Sequence, residues 1–332
     1  MTQETPAPPE PVPARRRWRV GSVEVLAAVL VLVVLLRGPI TRSLATPALQ
    51  TWLTVFVSVL TQAMPFLVFG VVLSSIIAVF VPPSFFARAL PSHPALAVPT
   101  ASAAGVVLPG CECASVPVAG ALVRRGVTPA AAFAFLLASP AVNPIVLIST
   151  AVAFPGQPKV VIARAVTSLV VACLMGWLWQ AFGKGSWLRM PSRAHLEGMA
   201  KWPAFWASVR HDVLHAGGFL VIGAASAAII AVVVPQSWLA HLAANPVLAI
   251  VALGLLSVLL SICSEADAFV AASLTQFSLT ARLAFLVVGP MVDLKLFAMQ
   301  AGIFGRRFAL RFAPTTFVVA ILASAALGPV LL

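Results

Sequence analysis

Apolar segments long enough to cross a bilayer recur along nearly the whole chain, near 50–81, 127–154, 158–182, 211–234, 280–304 and 308–331. A membrane helix needs about 20 such residues, and inside lipid only helices and closed barrels satisfy their own backbone polar groups. A barrel dilutes its apolar signal with a polar lumen face. This chain is 61% hydrophobic and only 9% charged, which excludes a barrel, a soluble domain and a disordered chain. The class that remains is an all-α polytopic membrane protein. The net charge of +12 would suggest nucleic acid in a soluble protein. Here it reports topology instead, because membrane proteins keep Lys and Arg in cytoplasmic loops. No nucleic-acid partner is expected.

Residues 1–19 read as a disordered cytoplasmic tail, with Pro6, Pro8, Pro9, Pro11 and Pro13 preventing helix. Residues 20–41 read as an extra N-terminal transmembrane helix, its apolar run from Val20 to Leu36 flanked by Arg19 and Arg37. The run has no small-residue cleavage site, so it is retained, with the N-terminus inside.

Two stretches, 94–125 and 245–277, are apolar but interrupted by Pro109-Gly110-Cys111-Glu112-Cys113 and by Ser261-Ile262-Cys263-Ser264-Glu265-Ala266-Asp267. An internal repeat accounts for both. Phe66-Leu67-Val68-Phe69-Gly70 matches Phe219-Leu220-Val221-Ile222-Gly223, Pro82 matches Pro235, and Cys111 falls on Cys263. Pro140 and Asn143 fall on Pro290 and Asp293. The expected repeats are 50–182 and 210–332, joined by a basic cytoplasmic loop over 183–209.

Charge then selects the topology. If both interrupted stretches cross the membrane, basic residues divide almost evenly between the faces, against the positive-inside rule. If both are re-entrant hairpins, the inside holds Arg15, Arg16, Arg17, Arg19, Arg88, Arg124, Arg125, Lys184, Arg189, Arg193, Lys201, Arg210, Arg306, Arg307 and Arg311. The outside keeps Arg37, Arg42, Lys159 and Arg282. The fold expected is therefore two inverted repeats, each with a broken or re-entrant helical hairpin, plus the N-terminal helix. The hairpin tips meet near the midplane, where inverted-repeat transporters bind substrate.

Cys111 and Cys113, two apart in a bend, can turn both sulfurs toward one ligand, and Cys263 sits at the equivalent place. Three thiols around one cavity suit a soft, thiophilic or metal centre. A helix restarting near Ala114 would aim its positive end at them. Cys173, alone in an apolar helix, reads as a small buried hydrophobe. Glu112, Glu265, Asp267 and Asp293 lie inside apolar segments, where charge is costly and usually functional. Glu112, Glu265 and Asp267 are the candidates for proton coupling. Asp293 has a sequence neighbour in Lys295, although the i, i+2 spacing separates them on a regular helix. Asn143 and Asp293 are expected beside backbone unwound by Pro140 and Pro290 and are candidate substrate contacts. Arg164 is expected to snorkel outward. His211 and His215 share a helix face but read as interfacial.

The run Pro109-Gly110-Cys111-Glu112-Cys113-Ala114-Ser115-Val116-Pro117, with Gly126, Ala134-Phe135-Leu136, Pro140 and Asn143-Pro144, resembles the YraQ/ArsP-like permease family. Typical members carry a Cys-Ser-Cys motif there; Glu112 replaces the serine. The resemblance implies an inner-membrane permease, and the best-known branch exports trivalent organoarsenicals through its cysteines. The expected function is a secondary transporter, working as an efflux permease in the plasma membrane, for a small thiophilic solute such as a metalloid. Cys111, Glu112, Cys113, Cys263, Asn143 and Asp293 would bind it. No cofactor is expected and no ATP-binding loop is present. The lipid bilayer is a partner, and a homodimer or an accessory membrane protein stays open. The alternatives are a membrane thiol-redox enzyme using the Cys-x-Cys pair, or a channel.

Overall fold

The computed structural model describes residues 47–91, 93–107, 111–190, 199–233 and 245–332. The expected tail, N-terminal helix, Pro109-Gly110 break and Pro235 lie outside the described residues.

The described chain is helical, without strands, and five of its segments, the broken Pro129–Ala153 among them, are long and apolar enough to cross a membrane. The first half runs α1 (Pro47–Phe80), α2 (Pro83–Ala89), α3 (Pro94–Gly105), α4 (Glu112–Arg124), α5 (Pro129–Val142), α6 (Pro144–Ala153) and α7 (Pro158–Phe182). The second runs α8 (Lys201–Val233), α9 (Pro246–Leu260), α10 (Asp267–Ser273), α11 (Leu279–Val288), α12 (Leu294–Ile303) and α13 (Arg306–Leu331). Proline opens most of these helices, where its fixed φ suits the first turn and its missing N–H is not needed. α8 starts earlier than the expected boundary at residue 210. Pro203 falls in its first turn, where proline does not break a helix, so residues 201–209 are helix rather than loop.

Two long segments are each split into half-helices. Pro140 stays inside α5; the break comes at Asn143. Pro144 pushes the residue before it out of the helical region, and Asn143 is extended at φ −68°, ψ 157°. In the second half the break spans 289–293 and ends on extended Asp293. Each break residue caps the half-helix it starts. Asn143 Oδ1 accepts from Val146 N at 3.0 Å and Asp293 Oδ1 from Leu296 N at 2.6 Å.

Each interrupted stretch enters and leaves the helix bundle at one face. Trp177, near the end of α7, donates from Nε1 to Ala95 O at the start of α3. Arg125, just past α4, donates from Nε to Ile77 O near the end of α1. A Cβ on Gly176 would meet both Val98 of α3 and Ala130 O at the start of α5. The ends of α1, α4 and α7 and the starts of α3 and α5 therefore share one face, and α3–α4 enters and leaves there. The α9–α10 hairpin does so at the opposite face. Ala249 and Ile250 near its entry and Ala271 at its exit share a core with Phe154, Phe277 and Ala281. The face holding the α3–α4 mouth also carries the basic residues. Arg189 N bonds Phe304 O at 2.8 Å, and the Arg311 guanidinium lies 4.6 Å over the Trp187 ring.

α1 and α8 pack on one another, antiparallel, with Ser75 and Ser208 hydroxyls 3.0 Å apart and buried. Each seats a half-helix at a glycine. A Cβ on Gly70 would overlap the Ala114 backbone of α4, and one on Gly223 would overlap the Lys295 backbone of α12. These are the two glycines aligned by the sequence repeat. Gly223→Ala is expected to lower stability by about 1–3 kcal/mol, the usual cost of overpacking, because backbone rather than a flexible side chain must give way. Thermal unfolding in detergent checks it; an unchanged midpoint would contradict the close approach.

Candidate functional site

Four half-helices, α4, α6, α10 and α12, begin inside the protein. α4 and α12 run side by side toward the basic face. Glu112 meets Lys295 at their starts, and Gly120 faces Ile303 further along. α6 and α10 pack together and run the other way. Three acids sit at these starts: Glu112 and Asp267 in first turns, Asp293 as a cap. Unpaired N–H groups and the positive dipole end favour carboxylates there. That is a local reason why charge is tolerated at this depth.

Cys111 is the extended residue that starts α4, at φ −80°, ψ −177°. The helix begins at Glu112, two residues before the expected restart. Cys111, Cys113 and Cys263 are free thiols and at most 5% exposed. Cys263 of the second hairpin is brought to the first through Lys295, whose Nζ lies 3.8 Å from the Cys263 sulfur and 2.6 Å from Oε1 of Glu112, the residue between Cys111 and Cys113. The Cys111 and Cys113 sulfurs and a Glu112 carboxylate oxygen lie within 4.8 Å of one another. Cys173 stands apart, its sulfur 3.6 Å from Ser102 Oγ.

Lys295 joins these groups. Its Nζ lies 2.6 Å from Glu112 Oε1, 3.3 Å from Asp293 Oδ2, 2.9 Å from Ser261 O and 3.8 Å from Cys263 Sγ, with all three charged side chains fully buried. The sequence separated Asp293 from Lys295 on a regular helix. They meet because Asp293 is an extended cap whose carboxylate folds over the first turn. Ser261 presents its carbonyl from a left-handed conformation, φ 47°. It is strained for a residue with a side chain and ends α9 at the hairpin tip.

Arg164 corrects the expectation that it snorkels outward. It is fully buried, and its two terminal nitrogens fork onto Asp267 at 2.9 and 2.7 Å. Nη1 also donates to Thr150 Oγ1 at 2.8 Å and Nη2 to Ser264 O at 3.2 Å. A planar guanidinium matches a carboxylate in this way where lysine does not. Glu265 lies at the same tip. Both its oxygens are buried without a hydrogen-bond partner among the described residues. The layer thus holds four acids, Glu112, Glu265, Asp267 and Asp293, against Arg164 and Lys295.

Asn143 makes local bonds, from Nδ2 to Ser139 O at 3.1 Å and through its cap. His211 and His215 lie away from the thiols. Their rings stack 5.9 Å apart, and with Arg124 and Asp212 they line a small cavity toward the basic face. Sequence reasoning missed Lys295 and Arg164 as site residues. The signal was available: two cations inside apolar segments with four acids to meet them.

The profile of a family described as predicted permeases, ArsP_1, matches residues 48–328. UPF0718 protein YcgR of Bacillus subtilis is 36% identical over 281 residues, covering 82% of this chain and 95% of that protein. A Streptococcus mutans protein named "Putative two-component membrane permease complex subunit" is 31% identical over 278 residues, covering 81% of this chain and 92% of that one. No solved structure matches the chain significantly. By the extent of these matches, the chain is a multi-pass membrane protein that belongs to the ArsP_1 family of predicted permeases.

Proposed function

We propose that this permease is a secondary transporter that exports a small thiophilic solute, such as a metalloid, an organoarsenical or a soft metal species. The observation that carries the reading is that buried thiols from both hairpins border one ion pair: Cys111 and Cys113 flank Glu112, and Cys263 lies 3.8 Å from the Lys295 ammonium that Glu112 meets. Soft thiolate ligands select soft centres. A ligand held by both hairpins feels any movement of one against the other, as transport requires. The same half-helix order on opposite faces supports inverted repeats, with the site between the tips. The basic face is then cytoplasmic, together with the N-terminus.

Glu112, Glu265 and Asp267 supply proton coupling or charge balance in this reading. Glu265 is the best placed, because its carboxylate has no hydrogen-bond partner among the described residues, whereas Asp267 is held by Arg164. Asn143 and Asp293 fix the half-helix starts that frame the site. The name of the Streptococcus relative favours a second membrane subunit as partner.

The test is transport of trivalent arsenite, antimonite and soft metal ions into inverted vesicles. The native chain is expected to move at least one of them, and the C111S/C113S variant none. Equal flux through both would refute the thiol site.

A further inference from the structure

The end of α7 and the start of α13 enclose a crevice of about 430 Å³ at the basic face. Its walls are apolar, with Met175, Leu178, Trp179 and Phe182 from α7 and Leu310 and Phe312 from α13. The volume falls within the roughly 300–1,000 Å³ of ordinary ligand pockets. The inner wall is braced. Trp179 meets Phe133, Phe308 and Trp187 edge to face, with ring centroids 4.9, 5.3 and 5.9 Å apart. The outer edge is open, since Phe182 and Leu310 are exposed. Trp179 and Trp187 set the crevice at the level of the lipid headgroups, where tryptophan collects.

One end of this apolar slot is positively charged. Arg311 lines it, its guanidinium held 4.6 Å over the Trp187 ring. Stacking of this kind fixes a cation without neutralising it. Lys184 and Arg189 flank Trp187 in the sequence, and Arg307 precedes Arg311 by one turn; all three are exposed. The bond from Arg189 N to Phe304 O ties that segment to the start of α13. No carboxylate pairs with these four cations among the described residues. Of the acids there, Glu112, Glu265, Asp267 and Asp293 belong to the buried layer, and Asp212 lines the cavity that holds Arg124. Arg164 and Lys295 have counter-ions within the chain, whereas these cations take theirs from outside. A neutral lipid would fill the slot and leave the charge unmatched.

We propose that this crevice binds an acidic phospholipid, with one acyl chain seated between α7 and α13 and the phosphate on Arg311. Basic pockets between membrane helices recognise anionic headgroups in this way. The site stands apart from the thiols and does not depend on what the permease carries.

The experiment equilibrates the purified chain in neutral detergent with equimolar dioleoyl phosphatidylglycerol and dioleoyl phosphatidylcholine, and native mass spectrometry counts the lipids that stay bound. Phosphatidylglycerol is expected to be retained over phosphatidylcholine at least about tenfold, a ratio that two nearby cations suffice to supply. R311Q brings the ratio close to one, while R311K, which keeps the charge, keeps most of it. Thr315 also lines the crevice, and T315F, which fills it, lowers retention of phosphatidylglycerol at least about tenfold. K159Q, which removes a charge at the far end of α7, leaves the ratio native. Equal retention of the two lipids by the native chain, or an unchanged ratio in R311Q, would overturn the proposal. So would native retention in T315F, or a loss in K159Q as large as in R311Q, which would mean diffuse surface charge. Displacement of the lipid by an equal concentration of soluble glycerol 3-phosphate would reduce the site to an anion site and overturn it too. A lipid-free dimer would give the crevice to a second copy of the chain instead.

Discussion

Replacing Arg164 with methionine is expected to destabilise the folded protein by about 3–5 kcal/mol, the usual result of removing one partner from a buried ion pair. The size follows from what is left behind. Asp267 is 2% exposed and sits at the tip of a hairpin inside the protein. It would lose both guanidinium bonds at once, and Thr150 Oγ1 and Ser264 O would each lose a donor. The dipole of α10 offsets little of this, since the helix spans only Asp267–Ser273. The R164M/D267L double variant, which buries no charge, is expected to recover most of the loss. Unfolding midpoints of the three chains in detergent, titrated with a denaturing surfactant, check the pattern. A single variant as stable as the native chain would show that the pair does not anchor the second hairpin.

The second large effect is on transport. Serine at both Cys111 and Cys113 removes two of the three clustered sulfurs and is expected to bring flux of a soft solute down to that of empty vesicles. Oxygen is nearly isosteric but hard, so the change tests ligand chemistry rather than packing. Serine at Cys263 alone leaves two sulfurs and is expected to weaken apparent affinity at least about tenfold, equivalent to ~1.4 kcal/mol. Cys173→Ser is the control. Its sulfur bonds Ser102 rather than the cluster, and flux is expected to stay native. Loss of flux in that control as large as in the double variant would point to a general folding defect.

Much of the architecture was legible because lipid enforces it. A chain with this much apolar sequence has few folds open to it, and the two polar interruptions at Cys111 and Cys263 marked where helices stop short. Positive-inside bookkeeping assigned Arg124 and Arg125 to the same face as Arg88. In the structure Arg125 does return to the end of α1. Gly70 and Gly223 aligned in the repeat because each sits against a half-helix backbone.

What the sequence hid was pairing across the two halves. Lys295 read as a local partner of Asp293, and its tightest contact is Glu112, far away in sequence. Arg164 lies close enough to its helix start to suggest snorkelling, yet the nearest carboxylate is on a hairpin from the other half. Periodicity reports which face of one helix is apolar, not which partner meets it across a pseudo-symmetric interface. The exact helix breaks were hidden for a smaller reason. Pro140 sits within α5 without interrupting it, while Pro144 acts on Asn143, the residue before it.

The central claim is that one soft centre is bound by thiols from both hairpins, and the sulfur ligand number of a bound probe tests it most directly. Purified protein loaded with trivalent arsenic and examined by X-ray absorption is expected to show three sulfur ligands, falling to two in Cys263→Ser. A native site in which arsenic keeps only oxygen ligands, or one in which Cys263→Ser changes nothing, would contradict it.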